Sequence, residues 1–294
     1  MTYRSRTAFR VVGALLTGAV LGGTAACTAG GAAGDRSGAS ARPDATTVAA
    51  VQRAATKGAG LNSLSYRVSG KVPGQGAVKG KASFSLRPRV VEMRMTASGG
   101  LQEGEFSVRL VRDAVYVGGG EQAAVVLGGK HWLKLAMTDQ GAGGFGGMQR
   151  QADQDPAAQA SLLPGSDDVR KVGEETVDGV RTTHYAGVVD VAKAAKAAKA
   201  AKKPTGKRSS GAERRTKVIE QYQELGVSEL KLDLWVGPGD RTVKFRQRAR
   251  ATQGPLDISI RFLDVNKPVT VQAPPASDTV DPEAKLKGAS RRLG

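Results

Sequence analysis

Cysteine is nearly absent from this sequence: Cys27 is the only one. No intramolecular disulfide can form, so a folded domain must hold through its apolar core alone. Histidine is almost as scarce, at His131 and His184. Each falls in a strand-like run with no cysteine or carboxylate at metal-ligand spacing, which argues against a zinc centre. The glycine runs at 118–120, 128–129 and 143–147 are not followed by Gly-Lys-Ser/Thr, so no phosphate-binding loop is read. No acidic cluster has calcium-loop spacing. Ser228 and Lys231 match the Ser-x-x-Lys pattern of penicillin-recognising enzymes. That chemistry needs one helical turn between them, whereas here the spacing enters an alternating strand and splits them between two faces. These absences lead to the expectation of a protein that is not an enzyme and needs no cofactor and no metal.

Charge is abundant and uneven. The chain carries a formal +17, and ten cations against one acid, Glu213, lie between Lys193 and Lys217. Basicity is therefore concentrated in one segment. A basic patch first suggests nucleic acid. No aromatics interleave with these lysines to stack on bases, and the N-terminus reads as an export signal, so no nucleic acid is expected. Anionic lipid headgroups or an anionic wall polymer fit better at 193–217, and the bland alternative is a solvated helix or loop with no partner.

Arg4, Arg6 and Arg10 precede an apolar run from Val11 to Gly22. That is the order of a signal peptide, and the run falls short of the about 20 apolar residues needed to span a bilayer. Gly23-Thr24-Ala25-Ala26 then leads into Cys27. A lone cysteine behind small residues resembles a lipobox, although the usual leucine three residues earlier is Thr24. The expectation is a signal peptide over 1–26, lipid on Cys27, and a flexible tether over 27–45 made of Gly, Ala, Ser and Thr. The protein would then sit on the outer face of the cytoplasmic membrane.

Helical spacing of Val48, Val51, Ala54 and Ala55 predicts a helix over 46–61. After it the period becomes two. Strands with one apolar and one polar face are predicted at 64–72, 78–86, 91–96 and 106–110, with weaker ones at 114–117 and 131–135. The pattern lapses from 141 to 168, where one or two short helices would fit. It resumes at 169–177 and 180–189 around Asp178-Gly179, a two-residue hairpin signal. A Lys/Ala-rich insertion follows at 192–212, then a helix over 213–225 with Ile219, Tyr222 and Leu225 on one stripe. Strands at 230–236, 242–252 and 256–262 complete the domain, taken as 46–281, and 282–294 is a polar basic tail.

About ten antiparallel strands with one apolar face each make an α+β fold: a large curved sheet, a half-barrel, with a few helices over its concave apolar face. Such a face either packs solid or keeps a hydrophobic hollow for an apolar ligand. The alternation places Tyr66, Val68, Phe84, Leu86, Met93, Met95, Phe106, Val108, Leu110, Leu232, Leu234, Phe245, Ile258 and Ile260 on that side.

The order of parts is similar to that of a known group. A lipobox-like cysteine, a small-residue tether, a helix and a one-faced sheet precede Val172-Gly173-Glu174-Glu175-Thr176-Val177-Asp178-Gly179-Val180-Arg181-Thr182-Thr183-His184-Tyr185. Leu234-Trp235-Val236-Gly237 and Lys267-Pro268-Val269-Thr270-Val271-Gln272-Ala273-Pro274-Pro275 come later. Over roughly 46–281 the chain resembles the actinobacterial lipoproteins of the LppX/LprG type, whose fold is that of the LolA/LolB carriers. The resemblance implies a half-barrel of about eleven strands closed by helices, an apolar cavity for acyl chains, and carriage or sheltering of a lipid, glycolipid or lipoprotein acyl chain outside the membrane. It also embraces proteins that sense envelope state, so the alternative is an interaction lipoprotein with a solid core. The Lys193–Lys217 stretch departs from the group's pattern.

Overall fold

A computed structural model describes residues 44–100, 103–136, 162–163, 166–200, 210–282 and 284. The expected signal peptide over 1–26, Cys27, most of the expected tether over 27–45 and most of 141–168 lie outside these residues.

Twelve strands form one open sheet. In chain order they are β1 (Ser63–Val72), β2 (Gly76–Leu86), β3 (Arg89–Ser98), β4 (Gly104–Val111), β5 (Ala114–Gly118), β6 (Trp132–Ala136), β7 (Arg170–Val177), β8 (Val180–Asp190), β9 (Glu229–Gly237), β10 (Arg241–Ala251), β11 (Gly254–Val265) and β12 (Thr279–Val280). Four helices occur among the described residues: α1 (Ala45–Ala59), α2 (Gly120–Val126), α3 (Val191–Ala200) and α4 (Ser210–Glu224). The fold class is therefore the expected α+β. The spatial order is β12-β6-β5-β4-β3-β2-β1-β11-β10-β9-β8-β7. Two meanders, β1–β6 and β7–β11, join where β1 pairs antiparallel with β11. The sheet departs from pure antiparallel order at one edge, where β12 runs parallel to β6.

Local chemistry explains the boundaries. At α1 the Asp44 carboxylate caps the helix, accepting the Thr47 backbone N–H at 3.1 Å. Hydrogen bonds from Thr46 first and Thr47 second hold its carboxyl below the ordinary range. Val51 and Ala54, three residues apart, are fully buried on one stripe. The β7–β8 hairpin turns at Asp178 and Gly179, with φ of 49° and 79°. Two consecutive left-handed residues make the tight turn whose twist matches the flanking strands. The exposed edge strand β7 is guarded by Lys171, Glu174 and Glu175 and broken by an irregularity between Lys171 and Gly173.

Three of the four helices gather over one half of the sheet, while α2 packs against β4 in the other. α1 packs against β9 and β10, and α3 packs against β8 and α4. Arg53 pairs with Asp240 at 3.0 Å and Lys57 donates to Gly239 O at 2.6 Å, which ties α1 to the β9–β10 turn. Val191 and Ala195 of α3 are buried, with Ala194 and Ala198 packed beside them. This part of the expected insertion is thus integral to the core and not set apart from it. Alanines at helical spacing face inward while Lys193, Lys196 and Lys199 face water.

Candidate functional site

Cross-strand register shows that the sheet has one continuous apolar face. Val68 stands opposite Gly80 and Ile260, Tyr66 opposite Ala82 and Phe262, and Met93 opposite Ala82 and Val108. The row continues outward through Val117 to Leu133 and, on the other side, through Phe245 to Leu234 and Tyr185. All fourteen residues expected on the apolar side fall on this face, because partners across a ladder point the same way. The same face also carries Leu64, Val78, Val91 and Phe262, which the alternation reads as apolar strand positions, and Val115, Val117, Leu133 and Leu135, none of them among the fourteen expected lining residues. Alternation in the weaker predicted strands at 114–117 and 131–135 was the available signal for four of them.

The two halves of the face differ. Under the helices it is filled. Leu230, Leu234 and Phe245 are fully buried, and Leu232 is 1% exposed. At Gly187, opposite Leu232, an added Cβ would lie 2.6 Å from Ser166 Oγ and 2.9 Å from Leu163 Cδ1. No space remains at Gly187, and Leu232, Leu234, Phe245, Ile258 and Ile260 are buried members of the core cluster that the helices cover. Leu86 ends β2 beside the turn to β3 and is 55% exposed. Toward the other edge, Met93, Met95, Phe106, Val115, Val117, Leu133 and Leu135 are only half-buried, while Val108 and Leu110 are buried. Large apolar side chains thus remain partly open across β3 to β6.

One end of the sheet opens into a cleft of about 800 Å³ between the C-terminus of α1 and the β7–β8 and β9–β10 turns. Leu61, Val180, Phe262 and Val265 give it apolar walls, and Lys57 and Arg241 stand among them. Phe262 also belongs to the apolar face, through its register with Tyr66.

The opposite face is polar and heavily charged. His184 lies 3.0 Å from Asp233 Oδ1 through Nε2 and 2.8 Å from Glu175 Oε1 through Nδ1. Its ring stacks on Trp235 at 4.2 Å between centroids. His131 binds Asp278 at 2.8 Å. Both histidines have carboxylate neighbours, although none stands at metal-ligand spacing in the sequence, because strand pairing supplies residues that are remote along the chain. The carboxylates around His184 take opposite nitrogens of one ring and cannot converge on an ion. Among the described residues no group of three or more His, Cys, Asp or Glu could hold a metal, and no helix is long and apolar enough to cross a membrane.

No family model matches the chain. An uncharacterized 31.2 kDa protein of Streptomyces griseus, from the rplA–rplJ intergenic region, is 31% identical over 229 residues, spanning 76% of this chain and 71% of that protein. A Streptomyces coelicolor protein with lipoprotein in its name is 28% identical over 180 residues, spanning 60% of this chain and 51% of its own length. Among solved structures, the Mycobacterium tuberculosis lipoprotein LppX is 17% identical with a TM-score of 0.47, covering 78% of this chain and 100% of that one. LprF from Mycobacterium bovis is 15% identical with a TM-score of 0.48, covering 80% and 99%.

Proposed function

We propose that this chain, which belongs to the family of the 31.2 kDa Streptomyces griseus protein, is a lipoprotein anchored through Cys27 outside the cytoplasmic membrane that shelters an acyl chain against its apolar sheet face. The observation that carries the reading is the unequal covering of that face. Helices seal it over β8 to β11, while Met93, Phe106, Val117, Leu133 and Leu135 stay half-buried over β3 to β6. Soluble proteins rarely leave contiguous apolar surface unless it meets a ligand or partner. An acyl chain lying across β3 to β6 would cover these side chains and regain contacts that water does not supply. The binding region is thus one half of the face, smaller than the alternation alone suggests.

A second reading rests on the filled half: with Leu230, Leu234 and Phe245 fully buried, the domain has a solid core that could serve an interaction or sensor lipoprotein without a lipid ligand. Native mass spectrometry of the full chain, released gently from detergent, separates the two. Co-purified lipid, and uptake of a fluorescent fatty acid or phospholipid by delipidated protein, are expected. A protein that carries no lipid and takes up none would leave the interaction reading.

A further inference from the structure

The polar face holds an arrangement that folding alone does not favour. Lys81 stands directly opposite Arg94 on one side and Arg67 on the other. Arg67 stands opposite Arg261, and Arg261 opposite Lys244. Five neighbouring strands, β3, β2, β1, β11 and β10, therefore place five cations in one cross-strand row. Strands lie about 4.8 Å apart, so the row is a line roughly 19 Å long. Like charges directly opposite each other destabilise a sheet.

The flanking rows avoid this by mixing signs. On one side Arg109, Glu92 and Asp264 share a row with Ser83 and Ser65, and Arg109 pairs with Glu92 at 3.0 Å. On the other, Lys79 and Arg246 share a row with Ser69, Ser259 and Asp233, and Arg246 also reaches Asp257 of the next row at 2.7 Å. Within the row only the outer members are relieved. Arg94 reaches Glu105 at 3.3 Å, Arg261 pairs with Asp178, and Lys244 lies 4.0 Å over the Trp235 ring. Partial burial, then the neighbouring Arg261 and Arg246, hold the Lys244 amine below its ordinary range. At the centre, Arg67 and Lys81 are exposed and form no ion pair among the described residues; the acid whose charge Lys81 feels, Asp264, is itself paired with Lys267 at 2.6 Å.

We propose that this row is a docking track for a linear anionic polymer of the phosphodiester class. Charge complementarity identifies the occupant: a chain of regularly spaced phosphates matches a single line of cations with acids interspersed on both sides. A planar sheet of lipid headgroups would be matched by a field extended in two directions, which Glu92 and Asp264 on one side and Asp233 and Asp257 on the other interrupt. The track lies on the sheet face turned away from α1, α3 and α4, so polymer docking and acyl binding are separate properties of the two faces.

The test uses the full chain in non-ionic detergent with poly(glycerol phosphate) as probe, its affinity followed against salt. One double variant, Arg67→Gln with Lys81→Gln, empties the centre of the row. The other, Lys231→Gln with Arg250→Gln, removes the same charge from exposed positions on the same face off the row. The row variant is expected to lose about tenfold in affinity at moderate salt and to make the slope of log K against log salt shallower by about 1.4, with its unfolding temperature unchanged or raised. The control should keep most of its affinity. Equal losses in both variants would mean bulk charge and overturn the track. So would binding of wild type to phosphatidylglycerol vesicles without binding to the polymer. A row variant that melts well below the control would show that the cations support the fold, and would also overturn it.

Discussion

The hydroxyl of Tyr222, on α4, donates to Oε1 of Gln247, on β10, across 2.7 Å with both side chains shielded from solvent. Gln247 is a polar residue on the apolar face, opposite Leu232 and Ile258. A buried amide there is tolerated only if its polar atoms are satisfied. The bond therefore orients α4 over the sheet, and burial in turn pushes the Tyr222 phenol well above its ordinary range. Tyr222→Phe should cost about 1–3 kcal/mol, because an acceptor is left buried without its donor. Adding Gln247→Leu should recover much of the loss. Urea unfolding of both single variants and the double variant measures this coupling, and strictly additive losses would show that the bond does not position the helix.

A second tie holds the C-terminal segment. His131, entering β6, donates its backbone N–H to Asp278 Oδ1 at 3.0 Å and sets its ring nitrogen 2.8 Å from the same atom. The side-chain bond to Asp278 first, and then its charge, raise the His131 pKa above 6.5. Hydrogen bonds from His131 lower the Asp278 pKa below 3.8. A raised histidine stabilises fully below its unfolded value and loses that contribution as pH rises through the folded value. A lowered aspartate stabilises above its unfolded value and loses that contribution as pH falls through the folded one. The strap carrying β12 should thus be held best between pH 3.8 and 6.5 and loosen above that window. Amide exchange at Thr279 and Val280, followed from pH 5 to pH 8 after correction for the intrinsic rate, should accelerate in wild type and change less in His131→Gln. Identical profiles would remove the histidine from the account.

Much of this architecture is legible along the chain, and the reasons differ by element. β1, β2 and β11 alternate because one face is dry and the other wetter, and β9 alternates in sequence although Asp233 and Trp235 on its polar face are buried as well. Asp178-Gly179 announces its turn because both residues adopt left-handed φ readily. The pairing of β1 with β11 is not legible, since nothing local joins residues so far apart in sequence. Nor is β12, two residues in a proline-rich stretch whose strand character comes from β6 and the Asp278 tie. The Lys/Ala repeat reads as low complexity, although Val191, Ala195 and Ala198 form a narrow helical stripe that small side chains suffice to pack. That half of the apolar face is filled depends on helix docking, which alternation does not encode.

The α3 stripe leads to a pair of contrasting variants. Ala195 is buried at the core edge and Lys196 is exposed beside it. Ala195→Leu should overpack the junction with β8 and α4 and cost about 1–3 kcal/mol. Lys196→Ala should leave stability within about 0.5 kcal/mol while weakening adhesion to anionic vesicles by up to about 1 kcal/mol. Chemical denaturation and vesicle co-sedimentation provide the two readings. Tolerance of leucine at 195 would mean that α3 stands free of the core.

The anchor is tested at Cys27. A diacyl-modified cysteine supplies two chains, enough for stable membrane attachment. Cys27→Ala should release the protein from the detergent phase or leave it uncut at the higher mass. Unchanged processing and partitioning in the variant would exclude lipid at this position.

The division of the apolar face is tested by placing the same large residue on each half. Leu232 is 1% exposed and stands opposite Gly187, where even one added carbon would run into Leu163 and Ser166. Leu232→Trp should therefore overpack the core and cost about 1–3 kcal/mol or more. Its uptake of a fluorescent fatty acid, measured well below its unfolding temperature, should stay near that of wild type. Val117 lies on the same face four strands beyond β1, half-buried and opposite Val108 and Leu133. Val117→Trp has partly open surface to occupy, so its stability should stay near wild type while uptake falls, because the indole takes the place of the acyl chain. Thermal unfolding and uptake, measured on the same preparations, give a crossed pattern if the ligand lies over β3 to β6. The reverse pattern, with uptake lost at Leu232 and kept at Val117, would move the ligand under the helices. Destabilisation of both variants together with no uptake by wild type would make the whole face a solid core.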